Sequence, residues 1–132
     1  MSDTSRQKIL IIDDEADLRS ALKKALEDAG FDVVEAANGA DGLREAYTND
    51  PDLILLDISM PQMNGHQVLK ELHAHPTEKN PHVLLLTNSE DPGNIVRGVT
   101  LKSDDYILKA QMSLSDIVKK VKQHLAGYYD HT

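Results

Sequence analysis

The sequence predicts an α/β fold: a doubly wound, five-stranded parallel sheet between two helical layers. Three observations carry that prediction. Short apolar runs recur along the chain, segments with helical spacing separate them, and the runs are near-continuous in Val, Ile and Leu rather than alternating. Continuous apolar runs mark strands covered on both faces, as in a parallel sheet flanked by crossover helices. Five β-then-α units give (βα)5, with right-handed crossovers and a ligand crevice outside the carboxyl ends of the strands.

The first strand is read at Ile9 to Ile12. Leu18, Leu22 and Leu26 then recur every four residues beside Ala21, Ala25 and Ala29, forming one apolar stripe that Gly30 ends. Phe31, Val33 and Val34 mark the second strand, and Leu43, Ala46 and Tyr47 a helix that stops before Asn49-Asp50-Pro51. The third strand is Leu53 to Leu56, followed after Asn64-Gly65 by a helix through Val68, Leu69 and Leu72. Val83 to Leu86 form the fourth strand. The fourth helical slot, roughly 93–101, is weak because Gly93, Gly98 and several β-branched residues form helix poorly. Tyr106 to Leu108 read as the fifth strand. Ile117, Val118, Val121 and Leu125 share one face of the last helix, with Ser113 and Asp116 spaced as a capping box.

The 132 residues allow one domain, expected over residues 7–126 with short tails at 1–6 and 127–132. With no cysteine, disulfides, thiol nucleophiles and thiolate metal sites are excluded, and a reducing, cytoplasmic location fits. A net charge of −8 argues against a phosphate-backbone binder, so no nucleic-acid partner is expected. The longest apolar runs are four residues, against the ~20 a membrane-spanning helix needs, so no membrane partner is expected either.

Residues at strand ends should meet in space, and here they are unusual. Asp13, Asp14 and Glu15 follow strand one, Asp57 follows strand three, Thr87 strand four and Lys109 strand five. Taken singly, these are ordinary helix-capping acids, turn residues and a solvated base. Taken together they collect carboxylates, a hydroxyl and an ammonium in one crevice. Carboxylates crowded without compensation repel one another, and a hard, oxygen-preferring cation such as Mg²⁺ resolves the repulsion.

Four segments carry a family resemblance: Ile9 to Glu15, Leu53 to Gly65, Leu84 to Asn88 and Asp104 to Lys109. In order, spacing and strand-end placement they resemble the receiver domain of two-component response regulators, over about residues 7–126. The resemblance implies a flavodoxin-like sheet of strand order 2-1-3-4-5 and a stand-alone signalling module similar to chemotaxis regulators. It implies that Asp57 is the phosphoacceptor for a phosphohistidine on a sensor histidine kinase or histidine phosphotransfer protein. Asp14 would be a direct Mg²⁺ ligand, Asp13 would act mainly through bound water, and Asp57 and the backbone carbonyl of Ser59 would complete the protein's share of the shell. Lys109 would pair with the phosphoryl group. Thr87 and Tyr106 resemble the family's switch pair, altering the surface of the fourth helical slot, fifth strand and fifth helix, where a downstream protein or a second copy would dock. No enzyme activity is implied beyond phosphotransfer to itself and loss of that phosphoryl group.

Three positions depart from the family pattern. Ala110 stands where proline in a cis peptide is common, Asn88 where a small residue is usual, and Lys102 where a turn glycine is usual. A non-proline cis bond costs about 2.5–4 kcal/mol, so a trans Lys109-Ala110 bond or a strained cis one is expected. None of the three removes a group the phosphotransfer chemistry requires.

Other function classes fit less well. A flavin carrier would place a phosphate at the loop where Asp13, Asp14 and Glu15 repel it, and a nucleotide-binding domain would need a glycine-rich loop there. A Mg²⁺-dependent phosphohydrolase with an aspartyl-phosphate intermediate usually has a second Asp two residues after the nucleophile, where this chain has Ser59. A receiver-like module that binds partners without phosphorylation stays open. His73 and His75 have metal-like spacing without a third ligand placed by any motif. Lys119, Lys120 and Lys122 make a solvated face that is also the best local candidate for docking. No effector segment is recognised after the domain, so the expected output runs through a partner.

Overall fold

In the computed structural model of the chain, residues 6–58, 65–87, 105–109 and 111–126 are described. Five strands, β1 (Lys8–Ile12), β2 (Asp32–Ala36), β3 (Leu53–Asp57), β4 (His82–Thr87) and β5 (Asp105–Leu108), form one parallel sheet in the order β2-β1-β3-β4-β5. Helices α1 (Ala16–Asp28), α2 (Gly39–Asn49) and α3 (Gly65–Ala74) follow the first three strands, and a C-terminal helix spans Leu114–Leu125. The weak slot at roughly 93–101 lies outside the described residues, as do Ser59, Asn88, Lys102 and Ala110.

The continuous apolar runs are buried on both faces, as expected of strands between two layers: Ile9 to Ile12 and Leu53 to Leu56 are fully buried. Leu10, Ile12, Ile54, Leu56, Val83 and Leu85 pack with α2 and α3, through Ala46, Val68, Leu69 and Leu72. Ile9, Ile11, Leu53, Leu55, Leu84, Leu86 and Ile107 pack on the opposite face with α1 and the C-terminal helix, through Leu22, Leu26, Ile117 and Val121. No described helix is long and apolar enough to cross a membrane.

The helix ends follow their local chemistry. Gly30, just past α1, has φ +102°, a conformation that favours glycine, and its N–H donates to Glu27 O at 3.0 Å. Asn38 caps α2 by accepting from the Asp41 N–H at 2.8 Å. Asp50 adopts the left-handed region (φ 48°) to end the same helix, ahead of Pro51. The Ser113/Asp116 capping box is present with both reciprocal bonds, of 3.1 and 3.3 Å.

Register aligns the strand ends. Ile12 pairs with both Ala36 and Leu56, Asp57 with Leu86, and Thr87 with Leu108. The strands run slightly longer than their apolar cores, so Asp57 and Thr87 are the last residues of β3 and β4 rather than the first beyond them. Because β1 has β2 on one side and β3 on the other, the winding reverses between β1 and β3. Asp13 and Asp57 flank that switch point, where open α/β sheets bind ligands.

Candidate functional site

Four of the five strand ends, those of β1, β3, β4 and β5, deliver the pieces of the site. Asp13 follows β1 directly, and its N–H donates to Ala36 O at 3.1 Å, extending the sheet by one residue beyond the strand. Its Oδ1 accepts from the Glu15 N–H at 2.9 Å, which closes the turn into α1. Asp57 ends the central strand, and the next N–H, of Ile58, donates to Leu86 O at 3.1 Å. The Lys109 N–H donates to Thr87 O at 2.8 Å, so the lysine leaves β5 in register with the end of β4.

These backbone ties bring together a buried, highly charged cluster. Asp13 is 0 % exposed, Asp57 2 % and Thr87 1 %. Carboxylate oxygens of Asp13, Asp14 and Asp57 lie within 4.8 Å of one another, the one such cluster of potential metal ligands among the described residues. The Lys109 ammonium reaches into it, 2.8 Å from Asp13 Oδ2, 2.7 Å from Glu15 Oε1 and 3.4 Å from Asp57 Oδ2. Burial alone would lower the lysine pKa. The carboxylates of Asp13 and Glu15 against it, with the charge of Asp57 nearby, outweigh burial and hold the ammonium above its ordinary range.

The cluster is under-compensated. Among the described residues, four carboxylates, counting Glu15, lie around the Lys109 ammonium, and Asp13 Oδ2 is buried without a hydrogen bond there, its 2.8 Å approach to Lys109 being ionic without hydrogen-bond direction. A buried carboxylate oxygen without hydrogen bonds is costly. An all-oxygen donor set with such a buried carboxylate atom, short of hydrogen bonds, has the chemistry of a hard divalent cation site, so the residues present fit Mg²⁺.

Of the groups singled out in the sequence, Asp13, Asp14, Asp57 and Lys109 come together by these distances. Thr87 is buried at the adjoining strand end. Tyr106 pairs with Leu85 and Thr87 with Leu108, so Thr87 and Tyr106 lie on the same face of the sheet as Leu85, the face that α2 and α3 cover. Tyr106 is 40 % exposed and, with Leu108, Gln111, Met112 and Lys120, lines a shallow groove of about 290 Å³. A larger cavity of about 540 Å³, among whose lining residues are His73, Thr77, Asn80 and His82, opens near the amino end of β4. Concavity alone therefore does not locate the charged cluster.

Sequence reasoning missed three contributors. It placed Glu15 in the acidic run but not as a partner of Lys109, a contact between residues 94 apart that only the fold creates. It placed Gly65 ahead of the third helix, whereas the residue opens α3 against β3. A Cβ there would meet Asp57 O at 2.5 Å and Ile58 Cα at 2.6 Å. It also passed over Arg19, which donates to Asp13 O at 2.7 Å and to Glu35 Oε1 at 2.8 Å. The charged Glu35 between the apolar Val34 and Ala36 of β2 was the available signal.

With this geometry in place, the comparisons with known proteins decide the family. The response regulator receiver domain family matches residues 9–122. The chain belongs to that family. It is 37% identical over 103 residues to the alkaline phosphatase synthesis transcriptional regulatory protein PhoP of Bacillus subtilis, covering 78% of this chain and 42% of that protein. It is 35% identical over 123 residues to the DNA-binding response regulator MtrA of Mycobacterium tuberculosis, covering 93% of this chain and 52% of the other. This receiver domain thus spans about half the length of such relatives or less. Among solved structures it resembles a CheY-like receiver domain protein of Methanospirillum hungatei, with a TM-score of 0.86, 28% identity and coverage of 96% and 98%. It also resembles the chemotaxis protein CheY4 of Vibrio cholerae, with a TM-score of 0.83, 26% identity and coverage of 90% and 98%. A receiver domain is a signalling module rather than a classical enzyme.

Proposed function

We propose that this receiver domain accepts a phosphoryl group on Asp57 from the phosphohistidine of a sensor histidine kinase or histidine phosphotransfer protein, in a Mg²⁺-dependent reaction. The observation that carries the reading is the Asp57 carboxylate at the end of the central strand. It has Asp13 and Asp14 oxygens within 4.8 Å and the Lys109 ammonium at 3.4 Å. In the transfer, an Asp57 oxygen forms a bond to phosphorus as the donor's P–N bond breaks, and the imidazole leaves with the electron pair. Positioning and electrostatics supply the acceleration, since this chemistry asks for little else from the protein.

Asp13, Asp14 and Asp57, with the backbone carbonyl of Ser59, would hold the cation. When bound, Mg²⁺ spreads the charge developing on the transferring oxygens. Lys109 exchanges its contact with Asp57 for the phosphoryl oxygens, as a compact ammonium on a flexible stem can. The Thr87 hydroxyl donates to one of those oxygens, and its displacement lets Tyr106 turn inward. The Tyr106, Leu108, Gln111, Met112 and Lys120 groove changes with it, and this is the surface we assign to a downstream protein or a second copy of the chain. The charge of −8 supports a protein partner over direct nucleic-acid contact by this domain. The longer relative MtrA is named as a DNA-binding response regulator.

The test is incubation with MgCl₂ and a small phosphodonor, read by intact mass, alongside Asp57→Asn. Wild type should gain one phosphoryl group that Asp57→Asn and chelation both abolish. A wild-type chain that stays unmodified under these conditions, yet still binds a partner, would favour a phosphorylation-independent binding module.

A further inference from the structure

The turn that carries Asp13 and Asp14 is held by more than its own backbone. Arg19, on the first turn of α1, lies between that turn and β2. Its Nη1 donates to the Asp13 carbonyl oxygen at 2.7 Å, while its Nε donates to Glu35 Oε1 at 2.8 Å. Both side chains are mostly shielded, at 17 % and 31 % exposure, and Lys23 Nζ approaches the other oxygen of Glu35 at 3.5 Å. Glu35 itself is fixed in β2, paired in register with Ile11.

The accepting atom makes this arrangement informative. The Asp13 carbonyl belongs to the planar peptide unit that joins Asp13 to Asp14, so a donor on that oxygen sets the plane from which both carboxylate side chains depart. Asp13 N–H and Oδ1 are already committed, to Ala36 O and the Glu15 N–H. The bond from Arg19 adds a third constraint, placed on the peptide between the two acids. A guanidinium suits the task because its rigid fork donates in two fixed directions at once, which an ammonium on a flexible stem does not. Short, charge-assisted bonds of this kind are roughly twice as strong as neutral ones.

We infer that Arg19 and Glu35 are positioning residues for the acidic cluster: Glu35 orients Arg19, and Arg19 fixes the Asp13–Asp14 peptide so that the two carboxylates are pre-arranged for a divalent cation. The inference rests on the Mg²⁺ reading above and touches neither the cation nor the phosphoryl group directly. Groups that orient ligands from behind typically change metal affinity by about 10–100-fold when removed. The lower end applies here, because two other bonds still hold the turn.

The experiment is an NMR titration of backbone amides with MgCl₂, paired with thermal melts, on wild type, Arg19→Gln, Arg19→Lys, Glu35→Gln and the double variant Arg19→Gln/Glu35→Gln. Val121→Ala serves as a control that weakens the core far from the turn. Arg19→Gln should weaken Mg²⁺ binding by about tenfold, Arg19→Lys nearly as much and Glu35→Gln less. The double variant should bind no more weakly than Arg19→Gln alone, because Glu35 acts through Arg19. Val121→Ala should melt earlier with unchanged Mg²⁺ affinity. Arg19 variants that melt earlier but bind Mg²⁺ as wild type does would reduce the pair to a tie between α1 and β2, and overturn the inference while leaving the Mg²⁺ reading intact. Fully additive losses in the double variant would remove Glu35 from it. Wild type that binds no Mg²⁺ at all would sink both.

Discussion

Gly65 sits so close beneath Asp57 that a Cβ on it would lie 2.5 Å from the Asp57 carbonyl oxygen and 2.6 Å from Ile58 Cα. Both obstacles are backbone atoms of the segment that carries the candidate phosphoacceptor. Neither can rotate away, so an added methyl must push α3 off β3.

Gly65→Ala should therefore be costly, destabilising by about 2–3 kcal/mol, at the upper end for overpacked sites. Its partner in the comparison is Gly42→Ala, whose Cβ would meet the Ile12 side chain at 2.5–2.9 Å. There the obstacle is a side chain, and trimming it with Ile12→Val should restore part of the lost stability. Denaturant melts of the three variants check this. Equal losses for Gly65→Ala and Gly42→Ala, with no recovery from Ile12→Val, would contradict it.

Asp13→Asn tests how the cluster's charges balance. Asp13 feels one ammonium at 2.8 Å and two carboxylates within 4.8 Å, and it is fully buried. Coulomb energy falls only as 1/r, so two repulsions at the longer distance match the one attraction, and the desolvation of a buried carboxylate tips the sum. Without divalent cations Asp13→Asn should melt later than wild type. With MgCl₂ the order should reverse, since a ligand at 100 times its dissociation constant adds about 2.7 kcal/mol to a chain that binds it. A Tm for Asp13→Asn that rises with Mg²⁺ as steeply as wild type would refute Asp13's part in holding the cation.

Much of this was legible in the sequence, for identifiable reasons. The β1 and β3 runs are apolar enough to read as strands covered on both faces, and Gly30 and Ser113/Asp116 announce helix ends through their own chemistry. Asp13, Asp14, Asp57 and Lys109 could be placed at strand ends because a parallel sheet puts all such ends on one side. What stayed hidden depends on distance and direction. The Lys109–Glu15 contact spans 94 positions, Arg19 is an unremarkable base until it is seen to donate to a particular carbonyl, and Gly65 looks like any turn glycine until a Cβ is placed on it.

Lys109→Met keeps the apolar stem and removes the charge. The change leaves Asp13 and Asp57 without the ammonium that lies 2.8 and 3.4 Å away. Removing one partner of a buried pair typically costs about 3–5 kcal/mol, because the remaining charge is stranded. In chelator Lys109→Met should melt well below wild type, and MgCl₂ should recover most of the difference, since the cation meets less positive charge on entering. Phosphoryl uptake at Asp57 should fall even when Mg²⁺ is saturating. A stability loss of the same size with and without Mg²⁺ would mean that the ammonium is not the cluster's resident counter-charge.

Thr87 and Tyr106 share one face of the sheet, with Thr87 paired to Leu108 and Tyr106 to Leu85. Thr87 is buried at the cluster and Tyr106 stands 40 % exposed beside the groove that Leu108, Met112 and Lys120 line. If the hydroxyl of Thr87 couples the two ends, then Thr87→Ala should still take up a phosphoryl group on Asp57 and yet fail to relay it. Ring signals of Tyr106 in wild type should shift on adding beryllofluoride with Mg²⁺, whereas in Thr87→Ala that shift should be lost while amides around Asp57 still respond. Tyr106→Phe should retain the amide response at Asp57, because the ring sits at the far end of the relay. Thr87→Ala that moves Tyr106 as fully as wild type does would break the coupling, and would shift attention to the backbone bond from Lys109 N–H to Thr87 O as the link between the site and β5.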